Sequence, residues 1–157
     1  MARAAVVIVL VIAGVYFLFF TDGDDPSVID GVLTKAKDAG VERDLSGFMN
    51  NFSMQYRDEY GFSYLVIKRI VGKQFEKFEK FEAEYTDLGV IFDENEQGDK
   101  LATATLELRV KGFKKGFPID LIGTDDSTDN INIVFSKSPL GVWKIVSVSG
   151  VDTRERF

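Results

Sequence analysis

Apolar positions along this chain change their period twice, and each change marks a different kind of element. From Ala4 to Phe20 the sequence AAVVIVLVIAGVYFLFF runs 17 residues without a charged or strongly polar side chain. As a helix this run spans about 25 Å, short but adequate for a bilayer core. Arg3 stands before it and TDGDD after it. The positive-inside rule therefore puts the tail in the cytoplasm and the rest of the chain outside. A cleaved signal peptide wants small residues at the end of the run. Tyr16, Phe17, Leu18, Phe19 and Phe20 are bulky and suit an aromatic interfacial belt instead. Residues 1–21 are thus expected to be a transmembrane anchor, with a signal peptide as the alternative, and 22–157 a single exported domain.

Beyond the anchor the period becomes helical. Asp25 followed by Pro26 reads as an N-cap and a first-turn proline, and Ile29, Val32, Leu33 and Ala36 form one apolar face ending at Gly40. Leu45, Phe48, Met49 and Phe52 repeat that spacing. A third helical stretch starts near Ser63, with Ile67, Ile70 and Val71 on its buried side. Between the second and third stripes lies YRDEYGFSY, residues 56–64, crowded with phenols and acids. Gly61 supplies the left-handed exit of one helix and Ser63 the cap of the next, while Asp58 and Glu59 suit the positive end of a helix dipole. This stretch is expected to be a joint.

FEKFEKFE, residues 75–82, has a period of three and straddles a helix end and a strand start. The period is then two. Phe81, Ala83 and Tyr85 share a face, after which the parity flips to Leu88, Val90 and Phe92, so one extra residue near Asp87-Leu88-Gly89 predicts a β-bulge. DENEQGDK makes a turn. Ala102, Ala104, Leu106, Leu108 and Val110 then face the core, opposite Thr103, Thr105, Glu107, Arg109 and Lys111. A short strand is expected at Ile119–Ile122, another through Ile131, Ile133 and Phe135, and a last one over Val142–Val151. In that last strand Trp143 and Ile145 oppose Val142, Val146 and Val148, and the buried face stays open. Helices first and hairpin-linked strands after them define an α+β fold with a bent antiparallel sheet curled around the helices.

Composition narrows the chemistry. The 157 residues contain no cysteine, so disulfides, thiolate metal sites and a cysteine nucleophile are excluded. There is no histidine either, which removes the usual general base near neutral pH and the commonest metal ligand. A net charge of -6 disfavours nucleic acid and anionic lipid as partners. The acidic turns DENEQGD and TDDSTD lack the alternating ligands of a calcium loop, so no metal and no cofactor are expected. Asn51 in NFS lies beside an apolar stripe, which argues against a glycan there.

AGVERDLSGFMNNFS, then YRDEYGFSYLVIKRIV, then long strands ending in GVWKIVSVSG, resemble the nuclear transport factor 2-like (cystatin-like, SnoaL-like) superfamily over about Asp25 to Asp152. The resemblance implies a cone-shaped sheet wrapped around helices. It implies no single activity, since that superfamily holds isomerases, dehydratases and secretion-system scaffolds. Ligand-pocket candidates are Tyr56, Tyr60, Phe81, Tyr85 and Trp143, whose plain alternative is core packing. Asp58 and Asp87 are the acid/base candidates for an isomerase- or dehydratase-like enzyme, whose family members rely on histidine or on an aspartate–tyrosine pair. No catalytic residue is assigned. The expectation is a non-enzymatic binding or assembly module, single-pass in the inner membrane with its C-terminal domain on the periplasmic or extracellular side. Its expected partners are the membrane and either an apolar small molecule or an envelope protein; a homodimer is left open.

Overall fold

The structure is a computed structural model and describes residues 25–151. The expected anchor at 1–21 lies outside the described residues, and among them no helix is long and apolar enough to cross a membrane. The order of elements is α1 (Pro26–Val41), α2 (Leu45–Met49), α3 (Tyr64–Lys77), β1 (Lys80–Glu94), β2 (Lys100–Lys114), β3 (Phe117–Ile122), β4 (Asp129–Lys137) and β5 (Trp143–Ser149). The strands form one antiparallel sheet in the order β1-β2-β4-β5, with β3 paired to the far end of β2.

α1 begins as its sequence dictates. The Asp25 carboxylate accepts from the Ser27 backbone N–H at 2.9 Å, and Pro26 opens the first turn. Its C-terminus differs from expectation. Gly40 lies inside the last turn, and Arg43 takes the left-handed conformation at φ 57. The Arg43 N–H donates to the Gly40 carbonyl at 3.1 Å and the Asp44 N–H to that of Ala39 at 2.9 Å, which is a Schellman closure. A non-glycine residue is favoured there because its side chain has a second use. The Arg43 guanidinium donates to the Phe78 carbonyl at 3.2 Å, just past the end of α3.

α2 is shorter than its apolar stripe, ending at Met49. The chain then turns along β5: the Ser53 N–H donates to the Ile145 carbonyl, and the Ile145 N–H to that of Asn51, both at 2.8 Å. The Asn51 amide is occupied as well, donating to Gly47 O at 2.9 Å and Phe48 O at 3.2 Å. α3 starts after Ser63, whose backbone is extended but whose side chain makes no cap bond. Its face of Ile67, Ile70 and Val71 is half-buried, and no residue of α3 is fully buried.

FEKFEKFE joins helix to strand. Phe75 in α3, Phe78 at its C-cap and Phe81 in β1 meet edge to face, with centroids 5.5 Å (Phe75–Phe81) and 5.6 Å (Phe78–Phe81) apart. A period of three is what brings rings together across a helix end. In β1 the parity flip is a bulge: Thr86 pairs with Glu107 and Gly89 with Thr105, leaving one extra residue, and Asp87 sits at φ 54. β5 settles its open face in the same way. Phe135 pairs with Ile145 but Val134 with Ser147, so Val146 is the extra residue. Trp143 and Ile145 therefore point inward before the bulge and Val148, opposite inward-facing Ile133, after it. β3 starts earlier than expected, carrying Pro118 opposite Phe113 on the margin of the sheet, where a missing N–H costs no ladder bond.

The core lies between the helices and the inner sheet face. Ile29 and Leu33 of α1 meet Ala102, Ala104, Leu106, Ile131, Ile133, Phe135, Trp143 and Ile145. Small alanines in β2 beneath α1, with large residues on both neighbouring strands, let the helix approach the bent sheet.

Candidate functional site

The inside of the curve is occupied by the protein's own side chains. Tyr56, Phe81 and Trp143 are all buried, and no charged or polar residue is buried among the described residues. Trp143 packs edge to face on Phe92 at 5.8 Å, with the Lys137 ammonium 5.8 Å from its ring centre. Tyr56 stacks edge to face on Phe52 at 5.4 Å. Burial, and next the nearby Asp58 carboxylate, push the Tyr56 phenol well above its usual range, against a backbone hydrogen bond at Val148 that pulls it down.

Tyr60 lies outside this core. It is partly exposed and its hydroxyl donates to the Val151 carbonyl at 3.1 Å. Of the residues Tyr56 to Tyr64, most serve chain geometry. Asp58 Oδ1 accepts from the N–H groups of Tyr60 (3.0 Å) and Phe62 (2.8 Å), Gly61 closes a turn at φ 80 back to the Asp58 carbonyl, and Glu59 accepts from Gly150 N–H at 3.1 Å. Asp58 and Glu59 thus hold the loop and the end of β5, where a role at the α3 dipole was expected. Asp87 is exposed at the β1 bulge. The structure does not bring Asp58 and Asp87 together.

Two phenol–carboxylate pairs converge, Tyr56 with Asp58 at the edge of the core and Tyr85 with Asp30 in a more open setting. Tyr85 of β1 donates to Asp30 Oδ1 at 2.6 Å and lies 3.1 Å from Thr34 Oγ1. Asp30 and Thr34 are one turn apart on α1, each directly following a buried residue of the apolar stripe, Ile29 and Leu33. That i, i+4 spacing beside the stripe was the available sequence signal for Asp30 and Thr34, which the sequence reading missed. Partial burial and the Asp30 hydrogen bond raise the Tyr85 phenol, opposed by Thr34. The Lys37 ammonium stands 5.9 Å from the ring centre. The group is half-buried rather than enclosed, and its phenol proton is already committed to Asp30.

On the outer face of the sheet a shallow depression of about 120 Å3 is lined by Glu82, Ala83, Glu84, Arg109 and Lys111. Arg109 pairs with Glu84 across the strands, and Lys111 with Asp125 of the β3–β4 loop. Asp125, held below the usual carboxylate range by the Lys111 hydrogen bond and charge, also lies 3.7 Å from Arg109. These charges are mutually satisfied at a wet surface and contribute modestly. Among the described residues no group of three acidic side chains is gathered to hold a metal.

The arrangement of three helices on one face of a bulged antiparallel sheet defines the fold class. It is shared with an NTF2-like superfamily protein from Salmonella enterica, at 16% identity and TM-score 0.63, covering 84% of this chain and 96% of that one. A Nostoc punctiforme protein of unknown function with a cystatin-like fold matches at 14% identity and TM-score 0.56, over 80% and 90% of the two chains. The helical cell shape determining protein Pgp2 of Campylobacter jejuni matches at 10% identity and TM-score 0.58, over 75% of this chain. The match spans 38% of the Pgp2 chain. No family model matches the sequence, and no curated protein does. The likeness is one of fold: α+β, with the NTF2-like curved sheet.

Proposed function

We propose that this chain is a membrane-anchored, exported NTF2-like domain acting as a non-enzymatic binding or assembly module. The observation that carries the reading is the filled interior. The rings that would line a ligand cone, Tyr56, Phe81 and Trp143, are buried in packed core, and the Asp58 carboxylate holds a turn. With its interior spent on stability, the domain meets other molecules through its outside. Anchoring rests on the apolar run Ala4–Phe20 in the sequence, and orientation on Arg3 ahead of it. Such a tether holds the domain at the periplasmic or extracellular face of the inner membrane and raises its effective concentration for other anchored proteins. The recurrence of this fold as part of a cell shape determining protein accords with an assembly role.

The test is recovery of the tagged full chain from detergent-solubilised membranes at native expression. Co-recovery of a stoichiometric partner, or of a second copy, supports the module. A lone monomer recovered under mild detergent overturns it, and full extraction by carbonate overturns the anchor.

A second reading, a small-molecule isomerase- or dehydratase-like enzyme, draws on the 2.6 Å bond between Tyr85 and Asp30. Its mark would be an apolar ligand that shifts the Tyr85 titration and loses affinity in Tyr85→Phe and Asp30→Asn.

A further inference from the structure

The two ends of strand β2 carry opposite charge, and an apolar side chain stands out of the core at each. At the C-terminal end, Lys115 and Gly116 turn the chain from β2 into β3 with φ 51 and φ 78. Glycine, asparagine or aspartate takes the first of these angles with less strain, so a lysine there points to a use for its side chain. Lys114 pairs with Phe117 across that turn, residues 114–119 are all exposed, and Phe117 is 73% exposed. The last turn of α3 arrives at the same end. Phe78 packs on Gly112, the Lys115 N–H donates to the Glu79 carboxylate at 3.2 Å, and Lys73 and Lys77 stand one turn apart just before them. Lys77 lies 5.2 Å from the Phe78 ring centre and Lys80 pairs with Glu82. Lys73, Lys77, Lys114 and Lys115 enter no ion pair among the described residues.

The opposite end is acidic. The β1–β2 turn, DENEQGDK, sets Asp93, Glu94, Glu96 and Asp99 beside one lysine. All four acidic residues are exposed, and none enters an ion pair among the described residues. Leu101 pairs with Ser136, so the β4–β5 turn leaves the sheet alongside, and in it Leu140 is 91% exposed. Two further lysines of that end are engaged within the chain. The Lys137 ammonium stands 5.8 Å from the Trp143 ring centre, and Lys144 donates to the Asn50 carbonyl.

We infer that the basic end of one copy receives the acidic end of the next, head to tail; the inference rests on the assembly reading above and names its partner. Charge selects the occupant. A net charge of -6 sets copies against one another in most orientations, and in this one unpaired lysines meet unpaired carboxylates. Phe117 and Leu140 then supply an apolar contact within a charged rim. The other acidic loop, TDDSTD, fits less well, because Asp125 is already paired with Lys111 and no large apolar side chain is exposed on it. Fifteen residues of β2 at ~3.3 Å each separate the two ends by up to ~50 Å. A contact between unlike ends is heterologous, so it repeats from copy to copy into a ring or an open row.

The cysteine-free sequence makes the test direct. Gln97→Cys in the acidic turn and Pro118→Cys beside Phe117 place thiols at exposed, uncharged positions of the two ends. Cells producing the full chain are treated with a bismaleimide far shorter than β2, which cannot join the ends of one copy. Neither variant alone should give a product, because only unlike ends meet. The two variants produced together, with different tags, should give one species of twice the chain mass carrying both tags. Both cysteines in one chain should give a ladder of multiples. Lys114→Glu with Lys115→Glu in the Pro118→Cys chain should cut the mixed product about tenfold, and Glu94→Lys with Glu96→Lys in the Gln97→Cys chain should restore it. Phe117→Ser should cut it as well. A doubled mass from either variant alone, a mixed product indifferent to the charge reversals, or monomer throughout overturns the head-to-tail contact. A product of any other mass assigns the end to a different protein and overturns it too. In each case co-recovery of a partner or a second copy from solubilised membranes leaves the assembly function standing. Matching circular dichroism across the variants shows that a lost product is a lost contact.

Discussion

Phe78 fills the space that a side chain at Gly112 would occupy: a Cβ on Gly112 would lie 2.7 Å from the phenylalanine ring. The C-cap of α3 is thereby set into β2 at an inward position that continues the row Leu106, Leu108, Val110. Strand β2 reads as a clean alternation until it reaches Gly112, and the interruption is where the helix end comes to rest.

Gly112→Ala should therefore destabilise the domain by about 1–3 kcal/mol through overpacking. Phe78→Ala, which empties a site 1% exposed, should cost about 3–5 kcal/mol. Urea unfolding of each variant measures both. The pair Gly112→Ala with Phe78→Leu should cost less than the sum of its members, because the two positions share one volume.

Asp58 offers a clean separation between turn geometry and chemistry. Asp58→Asn retains an oxygen to accept from Tyr60 and Phe62, and its stability should stay within about 0.5 kcal/mol of the parent, whereas Asp58→Ala should lose about 1–2 kcal/mol. Partner recovery from membranes should be unaffected by Asp58→Asn. Loss of recovery with full stability would give the Asp58 charge a functional role.

Arg43 should respond in a graded way. Arg43→Gly removes the guanidinium from the Phe78 carbonyl but relieves the left-handed backbone; Arg43→Ala removes the same bond and keeps the strain. Arg43→Ala should be the less stable by about 1 kcal/mol in thermal or urea unfolding. Equal stability of the two would show that backbone strain at this position is negligible.

The phenols predict an alkaline limit. Burial raises both Tyr56 and Tyr85 above the usual tyrosine range, so their neutral forms favour the folded state. That contribution is complete below the unfolded tyrosine pKa near 10 and is lost as pH climbs through the raised folded values. Absorbance at 295 nm should show Tyr56 ionising only together with loss of near-ultraviolet circular dichroism. Tyr85→Phe should shift the alkaline unfolding midpoint upward less than Tyr56→Phe, because Tyr85 is the less buried and the less shifted.

Much of this architecture was legible because period and punctuation agree. Asp25-Pro26 announces α1, alternation from Ala102 to Val110 announces β2, and the parity change between Tyr85 and Leu88 locates a bulge. The same device in β5 was hidden, since Val146 and Val148 are as apolar as Trp143 and Ile145 and no glycine marks the extra residue. The end of α1 was misplaced at Gly40 because nothing local distinguishes an arginine in the left-handed region; the reason sits 35 residues away at Phe78. The aromatic candidates Phe81 and Trp143 show a deeper limit. A ring lining a cavity and a ring filling it have the same sequence pattern, and only the packing of Phe75 and Phe92 against them separates the two. Asp30 and Tyr85, 55 residues apart, meet because the strand after α3 returns beneath α1, a matter of topology with no local trace.

The strip from Asn51 to Arg57 also decides how many molecules can join edge to edge. It closes β5 with bonds from Ser53 and Arg57 to the Ile145 and Val146 carbonyls. Strand-by-strand growth into a fibre needs an open border at each end of the sheet, so that every newcomer offers a fresh one. With β5 sealed, an encounter at β1 terminates after a single addition. The chain can stand at high local density and still be protected from polymerising through its ladders.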